Sequence, residues 1–272
     1  MGLRVNTNVA SLTAQRNLNS VTGRLQGNYA RLSSGLRIAT AADDAAGLGI
    51  SERMRSQIRS YDAAGRNAQD GISLVQTAEG ALNEASNILT RMRELAMQAS
   101  NGTLSATDLT TIDTEMDQLT EELDRISSST EFNNIALLDG STASASIQVG
   151  LDSGETIDIT LQDTSTTTLG VNTIDVTAAG GGAAALADID AAIDTVNTAR
   201  GAMGAAQNRL GSAYASIQSA RENLAAAESR IRDVDVAKET ADLTRNSILQ
   251  QAAVSILSQA NVQPQLALSL LQ

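Results

Sequence analysis

Residues 189–234 read IDAAIDTVNTARGAMGAAQNRLGSAYASIQSARENLAAAESRIRDV. Every seventh position is apolar: Ile189, Val196, Met203, Leu210, Ile217, Leu224 and Ile231, seconded by Ile193, Tyr214, Ala220, Ala227 and Val234. A repeat held this long describes a helix that buries one narrow stripe against other helices. From Ile189 to Ile231 such a helix rises about 63 Å, whereas a compact domain of this length has a radius of gyration of about 18 Å. The spacing therefore predicts a rod-like bundle. Gly201, Gly204 and Gly211 weaken the helix intrinsically, so packing must hold it, and close backbone approach is their expected use.

Two further stripes lie upstream. Val75, Ala78, Leu82, Ala85, Leu89, Met92, Ala96 and Ala99 form a second heptad that stops at the turn Asn101-Gly102. Ser105 then caps a third helix whose apolar positions are Leu109, Ile112, Met116, Leu119, Leu123 and Ile126. Between Gly140 and Ala179 the period falls to two: Ile147, Val149 and Leu151, then Ile157, Ile159 and Leu161, around Asp152-Ser153-Gly154-Glu155. That alternation predicts one β-hairpin. The run Ala178 to Gly182 reads as a flexible connection. The expected fold is thus mainly α, an elongated antiparallel helical bundle or coiled coil with one small β-hairpin insert at about 140–179.

Composition narrows the chemistry. The 272 residues include no Cys, His or Trp, one Phe and three Tyr. Histidine- and cysteine-based triads, redox pairs, structural zinc and thiolate clusters are therefore excluded in their usual forms. A carboxylate-based hydrolase or an oxygen-ligand metal site is left open. The net charge of −12 opposes phosphate backbones and anionic lipid, so no nucleic acid is expected as a partner. No apolar run is long enough to span a bilayer, which predicts no membrane insertion, and the first ten residues lack a secretory apolar core.

Both ends carry thin helical stripes. Val5, Val9 and Leu12 are followed by Leu18, Val21, Leu25 and Leu32, interrupted by Asn and Gln. Ala241, Ile248, Leu249, Ala252 and Ile256 precede Pro264 and the tail Leu266, Leu268, Leu270 and Leu271. Helices with so little apolar surface are marginal alone, so each end is expected to need a partner.

At this point literal strings become informative. Leu32-Ser33-Ser34-Gly35-Leu36-Arg37-Ile38, continued by Asp43-Asp44-Ala45-Ala46-Gly47-Leu48, and Gln69 to Glu84 (QDGISLVQTAEGALNE) resemble the amino-terminal signature of bacterial flagellins. Ser229 to Asp233, Ile248 to Ala252, Gln259-Ala260-Asn261 and Leu268 to Leu271 are similar to the carboxy-terminal one. Gly49 and Asn134 depart from the family's usual Ala and Gly. The variable outer domains of larger members have no counterpart here.

The resemblance implies a core-only structural subunit that polymerises into the extracellular flagellar filament for motility. It implies export through the flagellar type III apparatus with a chaperone, without a cleaved signal peptide. Residues 1–40 with 233–272 would form an inner terminal coiled coil, and 41–232 the surrounding bundle. Polymerisation residues would be Val5, Val9, Leu12, Leu25, Leu32, Ile248, Leu249, Ile256 and Leu270. Implied partners are further copies of the chain in a helical homopolymer and the hook-filament junction and cap proteins. The vertebrate innate receptor Toll-like receptor 5 is a further implied partner, at a patch of Arg91, Leu95, Gln98 and Glu115. No catalytic residue, cofactor or metal is implied. A hook-filament junction protein is the alternative within the same architecture.

Each candidate site also has a plainer reading. Leu95 widens the buried stripe while Arg91 pairs with Glu94 or Glu115. Asp43-Asp44 beside Gly47 and Gly49 lacks the third glycine of a dinucleotide fingerprint. Asp188, Asp190 and Asp194 enrich the first turns of the long helix, where negative charge is favourable. The Ser/Thr run from Asp163 to Leu169 is a solvated loop or, by family analogy, an O-glycan acceptor.

Overall fold

The computed structural model describes residues 7–178 and 180–269, with the helical backbone alone over 264–269. Val5 and Leu270 lie outside the described residues. The elements are α1 (Val9–Ser34), α2 (Ala45–Ala99), α3 (Ala106–Ser129), β1 (Glu131–Phe132), β2 (Ile135–Ala136), β3 (Ser144–Gln148), β4 (Thr156–Thr160), α4 (Thr166–Leu169), α5 (Gly181–Arg232) and α6 (Val236–Ser269). They fall into two compact units, one of Met1–Ser56 with Asn223–Gln272 and one of Gln57–Glu222.

In the second unit the heptads behave as read. Val75, Ala78, Leu82, Ala85, Leu89, Met92 and Ala96 of α2 are buried together with Ile189, Val196, Met203 and Leu210 of α5 and Met116 and Leu123 of α3. Small residues, Ala185, Ala192, Ala199 and Ala206, alternate with the large ones along α5 and let the aliphatic core close without aromatic rings. Ser105 caps α3 in a reciprocal box with Asp108: the Asp108 amide donates to the Ser105 hydroxyl, and the Ser105 amide donates back to the Asp108 carboxylate.

The expectation of one hairpin is corrected to two. Strands β3 and β4 pair antiparallel with Ile147 opposite Ile157 and Ala145 opposite Ile159, and Ile157, Ile159 and Leu161 enter the core. A shorter pair, β1 with β2, is closed by Asn133 and Asn134, both at positive φ (49° and 65°). Consecutive positive φ values fit the tight turn that the right-handed twist of a hairpin demands, and Asn tolerates them better than most residues.

Glycine usage also differs from expectation. A Cβ at Gly201, Gly204 or Gly211 would meet nothing within 4 Å, so no neighbour in the chain presses on them. Close approach occurs instead at Gly182, where a Cβ would come within 2.6 Å of the Ser100 amide nitrogen, and at Gly71, where it would press on Ile147 and Leu210. Gly181 and Gly182 belong to the first turn of α5, so the glycine run docks that helix against the end of α2 and is not merely a linker. Because α5 begins at Gly181, Asp188, Asp190 and Asp194 lie beyond its first turn, contrary to the macrodipole reading.

In the first unit, α1 and α6 pack against each other. Gly35, at φ 72°, terminates α1 as its left-handed cap, its amide donating to the Arg31 carbonyl. The chain then bridges back to the α5–α6 junction: the Arg37 amide donates to the Arg232 carbonyl at 2.7 Å, and the Val234 amide to the Gly35 carbonyl at 3.0 Å. The Arg37 guanidinium adds a bond to the Ile231 carbonyl. Ile38 is almost wholly buried beside this tie.

Candidate functional site

The helix pair α1 and α6 carries two faces. Its inner seam runs antiparallel, since Asn8 donates to the Ala260 carbonyl at 2.7 Å and Ser11 to Asn261 at 2.7 Å, while Asn28 meets Glu239 and Asn246 at the other end. On α1 the seam positions are Ser11, Ala14, Leu18, Val21, Leu25, Asn28 and Leu32; on α6 they are Glu239, Leu243, Asn246, Gln250, Ala253, Leu257 and Ala260, all buried or half-buried. Both sets recur at spacings of three and four, as a coiled-coil seam requires.

Away from the seam several large aliphatic side chains are exposed. Val9 (59% exposed), Leu12, Ile248 (61%), Leu249, Val254 and Ile256 all stand out from the pair. The terminal residues singled out in the sequence therefore divide. Leu25 is buried and Leu32 half-buried, both holding the seam, whereas Val9, Leu12, Ile248, Leu249 and Ile256 face away from it. The stripe read on the last helix, Ala241, Ile248, Leu249, Ala252 and Ile256, is the outward one throughout. Exposed large aliphatic side chains recurring along helices this thin are candidates for an interaction surface.

At the other candidate patch, Leu95 is only 2% exposed and belongs to the core. Arg91 donates from Nε at 3.0 Å and Nη2 at 2.7 Å to one oxygen of Glu115, and from Nη1 to Glu94 at 3.0 Å. These bonds, first those to Glu115, push the Arg91 pKa up. Gln98 is exposed. The plainer reading of Leu95 and Arg91 is thus what the structure contains: an aliphatic anchor beneath a surface ion pair that ties α2 to α3.

The acidic clusters have structural partners. Asp43 accepts from the Thr40 amide and hydroxyl and from the Ala39 amide, which together lower its carboxyl pKa, with Arg31 at 3.6 Å adding to the effect. Asp44 accepts from the Gly47 amide at 2.8 Å, at the start of α2. Asp190 pairs with Arg93 of α2 at 2.5 Å, which lowers the Asp190 pKa. Among the described residues no three carboxylates gather as metal ligands would. In the Ser/Thr run Thr164 and Thr166 are buried, and Thr166 donates from its amide and hydroxyl to Asp124 at 3.0 and 2.9 Å. The run thus ends in a short helical turn, Thr166–Leu169, anchored by its buried threonines, with Thr167 and Thr168 left exposed.

Comparison with known proteins decides the family. Residues 5–143 match the bacterial flagellin N-terminal helical region and residues 186–271 the bacterial flagellin C-terminal helical region. The chain belongs to the bacterial flagellin family. It is 48% identical to a flagellin of Halalkalibacterium halodurans, with 98% of this chain and 99% of that protein covered. It is 46% identical to a Bacillus subtilis flagellin, aligned over 304 positions with 99% and 100% covered. The crystal structure of Bacillus cereus flagellin superposes with a TM-score of 0.52 at 36% identity, covering 60% of this chain and 94% of that one. As a short, core-only flagellin the chain is a structural subunit of the extracellular flagellar filament, and other copies of itself are its partners. No described helix is long and apolar enough to cross a membrane.

Sequence reasoning did not single out Asn28, Glu239 and Asn246 as a group. The signal was present as a polar break in each terminal stripe at heptad spacing, but nothing in one dimension shows that two such breaks lie opposite each other.

Proposed function

We propose that the outer face of the terminal helix pair, with Val9, Leu12, Ile248, Leu249 and Ile256, is where one flagellin subunit docks on the next as the filament grows. Leu25 and Leu32 act indirectly, by holding α1 on α6 so that this face exists. The observation that carries the reading is the exposure of these aliphatic side chains on a helix pair too thin to bury them itself. Covering one such side chain is worth about 1.5–3 kcal/mol, and a helical polymer repeats that gain at every subunit. Export as an unfolded chain with a chaperone, and end contacts to junction and cap proteins, complete the assembly route. The close, near-full-length similarity to flagellins favours the filament subunit over a junction protein.

Toll-like receptor 5 recognition is a second reading, supported by the exposed group of Arg91, Gln98 and Glu115 on one side of α2 and α3. Leu95 serves this patch from below, by fixing the backbone that presents it.

Seeded growth tests the assembly reading. Purified chain added to sheared filament fragments should elongate them into uniform filaments visible by electron microscopy. If the intact chain leaves the seeds unextended while a Bacillus flagellin extends its own seeds under the same conditions, the reading fails.

A further inference from the structure

The seam between α1 and α6 is nearly uniform along its length. Ala14 and Val21 on one helix, and Ala253 and Ala260 on the other, repeat at seven residues, as do Leu18, Leu25 and Leu32; opposite them Leu243 and Leu257 stand fourteen apart with the half-buried Gln250 between. A strict repeat packs almost equally well when one helix slides by a heptad, about 10.5 Å. The apolar groups therefore define that the helices pair, but not where. Besides the half-buried Gln250, three buried side chains break the degeneracy. Asn28 is 7% exposed, and its amide nitrogen donates to the Glu239 carboxylate at 2.5 Å. Its amide oxygen accepts from the Asn246 amide at 2.8 Å. Glu239 and Asn246 are also buried.

We propose that Asn28, Glu239 and Asn246 are the register-determining residues of the terminal coiled coil. A polar group at a single core position costs stability in such a seam but selects one alignment. The cost of error is asymmetric. If α6 slips by one heptad so that Val254 faces Ser11, then Val21 takes the place of Asn28 between Glu239 and Asn246. In that alignment Asn246 lies between Ala14 and Val21 with no polar partner, while Glu239 faces Val21 on one side and reaches Asn28 only from the place Asn246 holds in the native pair; a buried amide left without its hydrogen bond carries its full desolvation cost. The hydrogen bonds of Asn8 and Ser11 to Ala260 and Asn261 fix the far end in the same alignment, though from more exposed positions. Register matters to the outer face as well, because a slipped pair would displace Ile248 and Ile256 relative to Val9 and Leu12 and present neighbours with a different surface. The inference concerns alignment within one chain and does not depend on the assembly reading.

The chain has no cysteine, so introduced pairs report register cleanly. In the full-length chain, Ser11→Cys with Asn261→Cys reports the native alignment, and Ser11→Cys with Val254→Cys reports the one-heptad slip. After brief oxidation, the single-chain cross-link is read on a non-reducing denaturing gel. With the polar group intact, the native pair should close at least tenfold more than the slip pair. In Asn28→Leu, Glu239→Leu, Asn246→Leu the slip pair should gain at least fivefold, with helicity held or raised, and seeded growth should slow. A residue that merely stabilised the helices would instead lower helicity and leave the ratio alone. Should the triple variant fail to fold, the exchange Asn28→Glu with Glu239→Gln decides: it keeps an amide opposite a carboxylate and should restore the native ratio, whereas Asn28→Leu alone should not. An unchanged cross-link ratio in the triple variant, or an exchange variant that slips as much as Asn28→Leu, overturns the proposal. Filament growth in the unaltered chain is scored separately, so failure to assemble would count against the docking face and not against register.

Discussion

Arg91 of α2 and Glu115 of α3 are joined through a single carboxylate oxygen that accepts both Nε and Nη2 of the guanidinium. Both side chains are nearly half exposed, and ion pairs so placed contribute little, about 0–1 kcal/mol. Leu95, four residues on, lies in the core beneath them. The neighbouring positions of one recognition patch thus have different physical jobs.

Arg91→Ala should leave thermal stability nearly unchanged, whereas Leu95→Ala should cost about 2–5 kcal/mol through the cavity it leaves. In a reporter-cell assay, monomeric Arg91→Ala should lose at least tenfold in activation of Toll-like receptor 5 while remaining folded. Leu95→Ala should lose activity in proportion to its unfolded or loosened fraction. A melting curve for Leu95→Ala that overlays the parent would contradict its assignment to the core.

The thin terminal seam predicts uneven stability. Its buried apolar members in the helices are few, Ala14, Leu25 and Ala260, against the long aliphatic core that includes Leu82, Leu89 and Met92. In dilute monomer, amides of α1 and α6 should exchange at least 100-fold faster than those around Leu82 to Met92, reflecting low local unfolding energy. On assembly the difference should shrink sharply. Equal protection in the monomer would show that the ends need no neighbour.

Charge is segregated along the chain. The unit built from the ends carries eleven bases and eight acids, while residues 57–222 carry eight bases and 23 acids. Like-charged central units brought together in a polymer repel one another within the Debye length, about 8 Å at physiological salt. Seeded growth should therefore accelerate as salt is raised from about 10 mM until screening is complete. Fastest growth at the lowest ionic strength would contradict this account.

The pH response follows from which groups are tuned. Hydrogen bonds from Arg232 lower the pKa of Glu52, those from Arg125 lower that of Glu122 and those from Arg93 that of Asp190, while the Ser105 hydroxyl lowers that of Asp108. A carboxylate with a lowered folded pKa stabilises the fold above its unfolded value, near 4, and that contribution disappears as pH falls through the folded value. With no histidine, and lysine represented by Lys238 alone, no side chain has its ordinary titration between about pH 5.5 and 9.5. The melting temperature should be flat across that interval and drop below about pH 4. A transition centred near neutrality would reveal a group this account omits.

Much of the central unit was legible because its pattern is one-sided. Along α5, the buried positions Ile189, Val196, Met203, Leu210 and Ile217 are those that the heptad marks. The ends were harder. Helix α6 has aliphatic residues on several faces, and the larger ones, Ile248, Leu249 and Ile256, point outward while Leu243, Ala253, Leu257 and Ala260 face α1. Selecting by size picked the surface meant for neighbours. The β1–β2 hairpin was missed because two-residue strands carry no alternation, although Asn133-Asn134 is a fair signal for a turn with positive φ. The widely spaced glycines of α5 were expected to be crowded, yet the crowding lies elsewhere, as at Gly182 and Gly71, where sequence position gives no hint of which neighbour comes close.

The central claim is that the outer aliphatic face joins subunits while the seam only builds that face. Its most direct measurement is seeded elongation of the variant Ile248→Ser, Leu249→Ser, Ile256→Ser, paired with a melting curve of the same monomer. The account predicts a melting temperature within about 2 °C of the parent, since exposed side chains contribute little to the isolated fold, together with growth slowed at least 100-fold. Elongation at the parental rate by this folded variant would contradict it.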